Sequence, residues 1–276
     1  MPHTPHITFI GAGNMAQAIL KGMLAAGYPQ DKISASGRTQ TKMDLLAAQT
    51  GIRTSTDNQA LCQQADVIVL GVKPAMMGDL VQSIAPAIDA SKQLVVSVAA
   101  GILANSIETW LGKKTPIVRC MPNTPSLVGQ GAAGLFATDS VSSEQKNTAS
   151  TIMQSVGLAL WVETEEQIDA VTAVSGSGPA YYFLMMEAMI AGAEKLGLSN
   201  QVAQQLVLQT AAGAAQMAQQ SDQTPGQLRV AVTSPKGTTE QALNTFNEAG
   251  FSALCSQAMA AAYQRSKELA QLFKAQ

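Results

Sequence analysis

Runs and recurrences of apolar residues divide this chain into a half that alternates strands with helices and a half that is helical throughout. Residues 7–10 are a short apolar run, and after the glycines at 11 and 13 the positions Ala16, Ile19, Leu20, Met23 and Leu24 recur at helical spacing. The pattern predicts strand, tight turn, helix. Residues 32–36 predict a second strand, followed by Gly37, Arg38, Thr39 and a helix through Leu45 and Leu46. Residues 66–71 (DVIVLG) form a continuous apolar run, as expected in the middle of a parallel sheet covered on both faces. Residues 94–98, 116–120, 134–137 and 159–162 predict further strands, with a helix at about 142–155. Beyond Thr164, Glu165 and Glu166, alanine, glutamine and methionine dominate, and apolar residues occupy nearly every helix face. Such helices are ordinarily buried. In a domain of this size that implies burial against a second copy of the chain.

The loops at the predicted strand ends carry the candidate chemistry. In Gly11-x-Gly13-x-x-Ala16, Gly11 suits the turn, Gly13 lets a pyrophosphate approach the backbone, and a small Ala16 fits where helix meets strand. The amides that open the helix, with its dipole, would then meet the anion. This is the fingerprint of a Rossmann-type dinucleotide-binding fold. An NAD enzyme would place a carboxylate at the end of the second strand for the ribose 2′-hydroxyl. Here stand Ser36, Arg38 and Thr39, which suit a 2′-phosphate, because Arg offers bidentate charged donors. The expected cofactor is therefore NADPH, with NADH less favoured. Lys73 and Pro74 follow the third strong strand, where Lys73 reads equally as a ligand or a surface cation. Ala99, Ala100 and Gly101 would let a cofactor lie close. Asn123 and Thr124, held between prolines, offer an amide and a hydroxyl, although turn chemistry alone also explains them. In the helical half, Thr224-Pro225 suits a helix start, and Thr238 with Gln241 forms a capping-box pattern opening a helix that ends at Gly250. Free amides and hydroxyls there would bind a carboxylate, or the pattern is a capped helix without a ligand.

Composition narrows the classes. Net charge is −2, with 17 Lys and Arg scattered along 276 residues, so no basic field for nucleic acid is expected. Residues 180–193 are the most membrane-like stretch, but they contain Glu187 and fall short of the roughly 20 residues of a span. A buried helix is the expectation, with no membrane partner. The start of the chain lacks a signal-peptide pattern, and the cysteines, Cys62, Cys120 and Cys255, read as reduced cytoplasmic thiols rather than a disulfide framework or metal cluster. The histidines, His3 and His6, both stand at the beginning of the chain, so neither a histidine base nor a soft-metal site is expected.

Taken together, the glycine loop, VKP, MPNTP, SGSGPAY and TSPKGTT resemble the pyrroline-5-carboxylate reductases over almost the whole length. The resemblance implies an N-terminal Rossmann-type domain (1–163) and an all-α dimerisation and substrate domain (164–276). It implies NAD(P)H-dependent reduction of 1-pyrroline-5-carboxylate to proline in a homodimer or higher oligomer with interleaved helices. Carried over by residue, the family's cofactor positions fall on Gly11, Ala12, Gly13, Asn14, Met15, Ala16, Ser36, Arg38, Thr39, Asn58, Val72, Lys73 and Ala99. The substrate carboxylate falls on Ser234, Gly237, Thr238 and Thr239, and Thr239 takes the catalytic place beside the substrate nitrogen. Glu165 matches a substrate-contacting acid, and Asp222 stands where Glu is common. Lys236 departs from the Gly, Ala or Asn usual there, a change that bears on the loop's conformation. The rivals are a β-hydroxyacid-dehydrogenase-like NADP oxidoreductase, against which the absence of lysine from 175–194 counts, and a non-catalytic NADP(H)-binding sensor.

Overall fold

Side chains that point to opposite faces of one sheet sort the first half of the chain into two cores. The computed structural model describes residues 4–274, so His3 lies outside the described residues. In chain order the elements of the first half are β1 (Ile7–Ile10), α1 (Asn14–Ala25), β2 (Ile33–Ser36), α2 (Gln40–Thr50), β3 (Arg53–Ser55), α3 (Asn58–Cys62) and β4 (Val67–Leu70). They continue with α4 (Met77–Ile84), β5 (Leu94–Ser97), α5 (Ala104–Leu111), β6 (Ile117–Met121), β7 (Gly131–Ala137), α6 (Ser143–Gln154), β8 (Gly157–Trp161) and α7 (Gln167–Val171). The strands lie in the order β3-β2-β1-β4-β5-β6-β7-β8, parallel except for β6 with β7. Ile7, Phe9, Val67, Val69, Leu94 and Val96 pack with α1, α2 and α6 on one face. Ile10, Ile68, Leu70 and Val95 pack with α4 and α5 on the other. Each such fully buried side chain contributes on the order of 2 kcal/mol. Two-sided burial explains why these strands read as continuous apolar runs.

Several boundaries differ from the sequence reading. Lys32 closes a 3-10 turn at Gln30–Lys32 and does not belong to β2. β3 was not anticipated, because Arg53-Thr54-Ser55 is a short edge strand without an apolar pattern. β7 begins at Gly131 rather than 134, and β8 spans Gly157–Trp161 rather than 159–162. The segment between β6 and β7 is too short for the crossover that a parallel pair requires, so the chain reverses. The helix α6 opens with a capping box made by Ser142 and Gln145.

No strand follows Trp161 among the described residues. The remaining helices are α8 (Gly178–Lys195), α9 (Asn200–Gln220), α10 (Pro225–Ala231), α11 (Thr238–Glu248) and α12 (Phe251–Leu272). By packing, one compact unit comprises residues up to Ser177 together with those from Ala262 on, and the other is Gly178–Ala261. In that grouping residues 164–177 and the end of α12 belong with the first unit. α7 packs on β6 and β7, Ile168 is buried, and Asp169 Oδ1 accepts the hydroxyl of Ser266 at 2.6 Å, which ties the end of α12 into the first unit. In the second unit, Tyr182, Phe183 and Leu184 of α8 are each more than 60% exposed in the single chain, as the expected burial against a second copy requires.

Candidate functional site

Register places most of the candidate cofactor residues on one line. Ile10 pairs with Ser36 and with Leu70, and Leu70 pairs with Ser97, so these strands end level. Gly11, Ser36, Arg38, Val72, Lys73 and Ala99 therefore converge on the carboxyl edge of the sheet, where open α/β folds bind ligands. Ser55 pairs with Ser36, which brings Asn58, the first residue of α3, to the same edge.

The turn between β1 and α1 is built for close backbone packing. Gly11 has φ of 90°, and a Cβ there would strike Val72. Gly71 faces it, and a Cβ on Gly71 would lie 2.6 Å from Gly11 O and 2.8 Å from the Ala16 methyl, which is itself fully buried. Ala12 N–H donates to Ser36 O at 2.8 Å and Gly71 N–H to Ile10 O at 2.9 Å, so the turn is tied to both neighbouring strand ends. Gly13 and Asn14 stay exposed, Met15 is half-buried, and α1 begins at Asn14 with no side-chain cap on its first amides. A bound anion would satisfy those amides.

Ser36 is fully buried, and its hydroxyl has no hydrogen-bond partner. Most buried polar atoms are satisfied, so an orphan at a strand end marks a place where a ligand atom completes the bonding. Arg38 and Thr39 beside it are exposed, and Thr39 occupies the N-cap of α2 without using its side chain as the cap. These groups fit a dinucleotide bearing a 2′-phosphate.

Other candidates have structural partners. Asn123 donates from Nδ2 to Ser175 O at 3.0 Å and accepts Ala132 N–H at 2.9 Å, so its amide staples the proline loop to β7 and to the π-turn at Thr172–Gly176. Glu165 Oε1 accepts both Arg119 Nη1 at 2.8 Å and Ala104 N–H at 2.7 Å. Arg119 is 3% exposed on β6, so Glu165 neutralises a buried cation and caps α5. Sequence reasoning overlooked Arg119, although a lone charge in the run IVRCM was the available signal. Burial pushes the Cys62 thiol up to about 12, with Asp57 adding to it, and burial holds Cys120 above the ordinary thiol range. Neither is a nucleophile at neutral pH. His6 is a structural residue that precedes β1, its N–H donating to Asp66 Oδ2 at 2.7 Å.

The substrate-loop candidates lie in the second unit. Thr224 and Gln227 form the expected cap of α10. The capping box expected from Thr238 and Gln241 does not form. Gly237 is the N-cap of α11, Thr238 and Thr239 are its first two residues, and no side chain caps it. Ser234, Thr238 and Thr239 are exposed, and no hydrogen bond among the described residues engages the Thr238 or Thr239 hydroxyl. Asp222 is exposed in the turn before α10.

Comparison with known proteins covers both units. Residues 165–269 match the family described as pyrroline-5-carboxylate reductase dimerisation, and residues 6–101 match NADP oxidoreductase, coenzyme F420-dependent. The chain is 52% identical to pyrroline-5-carboxylate reductase of Pseudomonas aeruginosa, over 97% of this chain and 98% of that one. It is similar to the solved pyrroline-5-carboxylate reductase of Coxiella burnetii, with 46% identity, a TM-score of 0.94 and coverage of 97% of this chain and 99% of the other. The Plasmodium falciparum pyrroline carboxylate reductase solved with NADP bound is 31% identical, with a TM-score of 0.84 and coverage of 96% and 98%.

Proposed function

The chain belongs to the pyrroline-5-carboxylate reductase family, and from that premise we propose how its residues divide the work. The protein reduces 1-pyrroline-5-carboxylate to L-proline with NAD(P)H, the last step of proline biosynthesis, as a homo-oligomer. In our reading, residues 1–163 hold the cofactor and 164–276 hold the substrate and the partner subunit.

The pyrophosphate rests on the uncapped start of α1 at Gly11, Ala12, Gly13, Asn14, Met15 and Ala16. Ser36, Arg38 and Thr39 take the 2′-phosphate, and Asn58, Val72, Lys73 and Ala99 line the rest of the sheet edge. NADPH is accordingly preferred to NADH. When bound, the nicotinamide supplies the hydride. The protein's task is to hold the imine and exclude competing poses, because a protonated cyclic imine is already a good hydride acceptor. Thr238 and Thr239 amides, with Ser234 and Gly237, hold the substrate carboxylate, and the Thr239 hydroxyl bonds the substrate nitrogen as the catalytic residue. Glu165, which matches a substrate-contacting acid of the family, is engaged by Arg119 and by the first amide of α5. No described helix is long and apolar enough to cross a membrane. We place the enzyme in the cytoplasm, where its unpaired cysteines remain reduced.

The observation that carries this reading is the level ending of the strands around an unpartnered, buried Ser36 hydroxyl. It is tested by following oxidation of NADPH with 1-pyrroline-5-carboxylate and identifying proline by chromatography. Turnover with proline as product is expected. Cofactor binding without turnover would leave the sensor reading in its place.

A further inference from the structure

The turn at 234–237 contains a residue that its geometry disfavours. Gly237 N–H donates to Ser234 O at 3.0 Å, Pro235 stands second, and Lys236 stands third with φ of 60°. This is the order of a type II turn, whose third residue needs a positive φ and is ordinarily Gly or Asn. Among the described residues, Lys236 is the sole non-glycine with positive φ. Its Cβ crowds the backbone in this left-handed conformation, so an outside contact has to hold it there.

Glu240 supplies that contact. Its Oε2 accepts the Lys236 N–H at 2.7 Å. In an ordinary capping box the third helical residue returns to the N-cap amide, as Gln145 and Gln227 do elsewhere in this chain. At α11 the N-cap amide, that of Gly237, is already taken by Ser234 O. Glu240 therefore reaches one residue further back, to the residue under strain. The side chain best placed to cap α11 is thereby used on the turn, and the first amides of α11 have no side-chain cap.

We propose that Glu240 is a positioning residue: by holding Lys236 left-handed, it keeps the loop at 234–239 in the form that presents the α11 amides and the Thr239 hydroxyl to the substrate. The inference rests on the substrate role given to this loop above. Lys236 and Glu240 are then a matched pair, the carboxylate compensating for a side chain where the turn calls for glycine.

The test uses the full chain with 1-pyrroline-5-carboxylate and NADPH. Glu240→Ala raises KM for the imine about ten- to hundredfold, the effect of losing one hydrogen bond to a charged acceptor. KM for NADPH stays unchanged, whereas general loosening of the fold would raise both. Glu240→Gln retains most of the wild-type KM, because an amide oxygen also accepts. The double variant Lys236→Gly with Glu240→Ala recovers KM to within about twofold of wild type, since glycine adopts positive φ unaided. A Glu240→Ala enzyme with unchanged KM, or a double variant no better than the single one, overturns the proposal. Hydrogen exchange at the Lys236 amide tests the clamp without substrate: it is expected to be faster in Glu240→Ala, and equal rates overturn the clamp itself. A wild-type enzyme inert towards the imine overturns instead the functional reading of the loop.

Discussion

Thr239 and Arg38 are the residues whose chemistry is most directly testable. The hydroxyl of Thr239 is exposed at the second position of α11 and engaged by no hydrogen bond among the described residues. An oriented bond to the reacting nitrogen acts on the transition state, so its loss appears in turnover rather than uniformly in binding. Thr239→Ala is expected to lower kcat by roughly one to three orders of magnitude with cofactor affinity unchanged. Thr239→Ser is expected to recover much of it, and steady-state kinetics of the two variants side by side decide the matter. Arg38 offers a different discrimination. Arg38 is exposed two residues after Ser36, whose buried hydroxyl has no partner, so Arg38→Ala is expected to raise KM for NADPH far more than KM for NADH. Equal increases for the two cofactors would remove Arg38 from the phosphate site. Both residues were visible in the sequence because their motifs are local, whereas Arg119 and Glu240 were not, since their roles depend on partners met only after folding.

At the scale of elements, the ion pair between β6 and the segment before α7 holds the sheet to its flanking helices. Arg119 is almost fully enclosed, and Glu165 supplies its counter-charge while capping α5. Removing one member of a buried pair strands the other charge, which costs on the order of 3 kcal/mol. Glu165→Ala is therefore expected to shift the urea midpoint markedly, with a smaller effect on KM for the imine than Glu240→Ala. A stable variant with a large rise in that KM would instead make Glu165 a direct substrate contact. The elements themselves were legible in proportion to their burial. β1, β4 and β5 are buried along their whole length and show as apolar runs, while β3 at the edge shows no pattern. The Thr238–Gln241 capping box has the right residues, yet it does not form because Gly237 takes the cap and Glu240 is drawn to Lys236.

At the scale of the whole molecule, the helical unit exposes apolar side chains that water does not favour. Phe183 and Leu184 on α8 and Leu206 on α9 are each more than half exposed in the single chain. Such surface suits a subunit interface, since obligate interfaces resemble a domain core cut in two. Phe183→Asp would place an unpaired charge in that interface. It is expected to convert the oligomer to monomer or to aggregate in sedimentation analysis, where wild type is expected to show no stable monomer at micromolar concentration. A variant that sediments as wild type would place Phe183 outside the interface.

The linear order of residues was enough to establish two regions, a dinucleotide turn, the absence of a ribose carboxylate and a helical half that requires a partner. Each depends on hydrophobic period or on residues within a few positions of one another, and local physics acts on those before any tertiary contact forms. Folding alone revealed the level ending of β1, β2, β4 and β5 that collects distant loops at one edge, the unpartnered Ser36 hydroxyl, the commitment of Glu165 to Arg119 and the left-handed Lys236 held by Glu240. The same holds for the break in packing after Ser177. Strand register, burial and competition for a single amide are properties of residues brought together in space, and no spacing along the chain encodes which competitor wins.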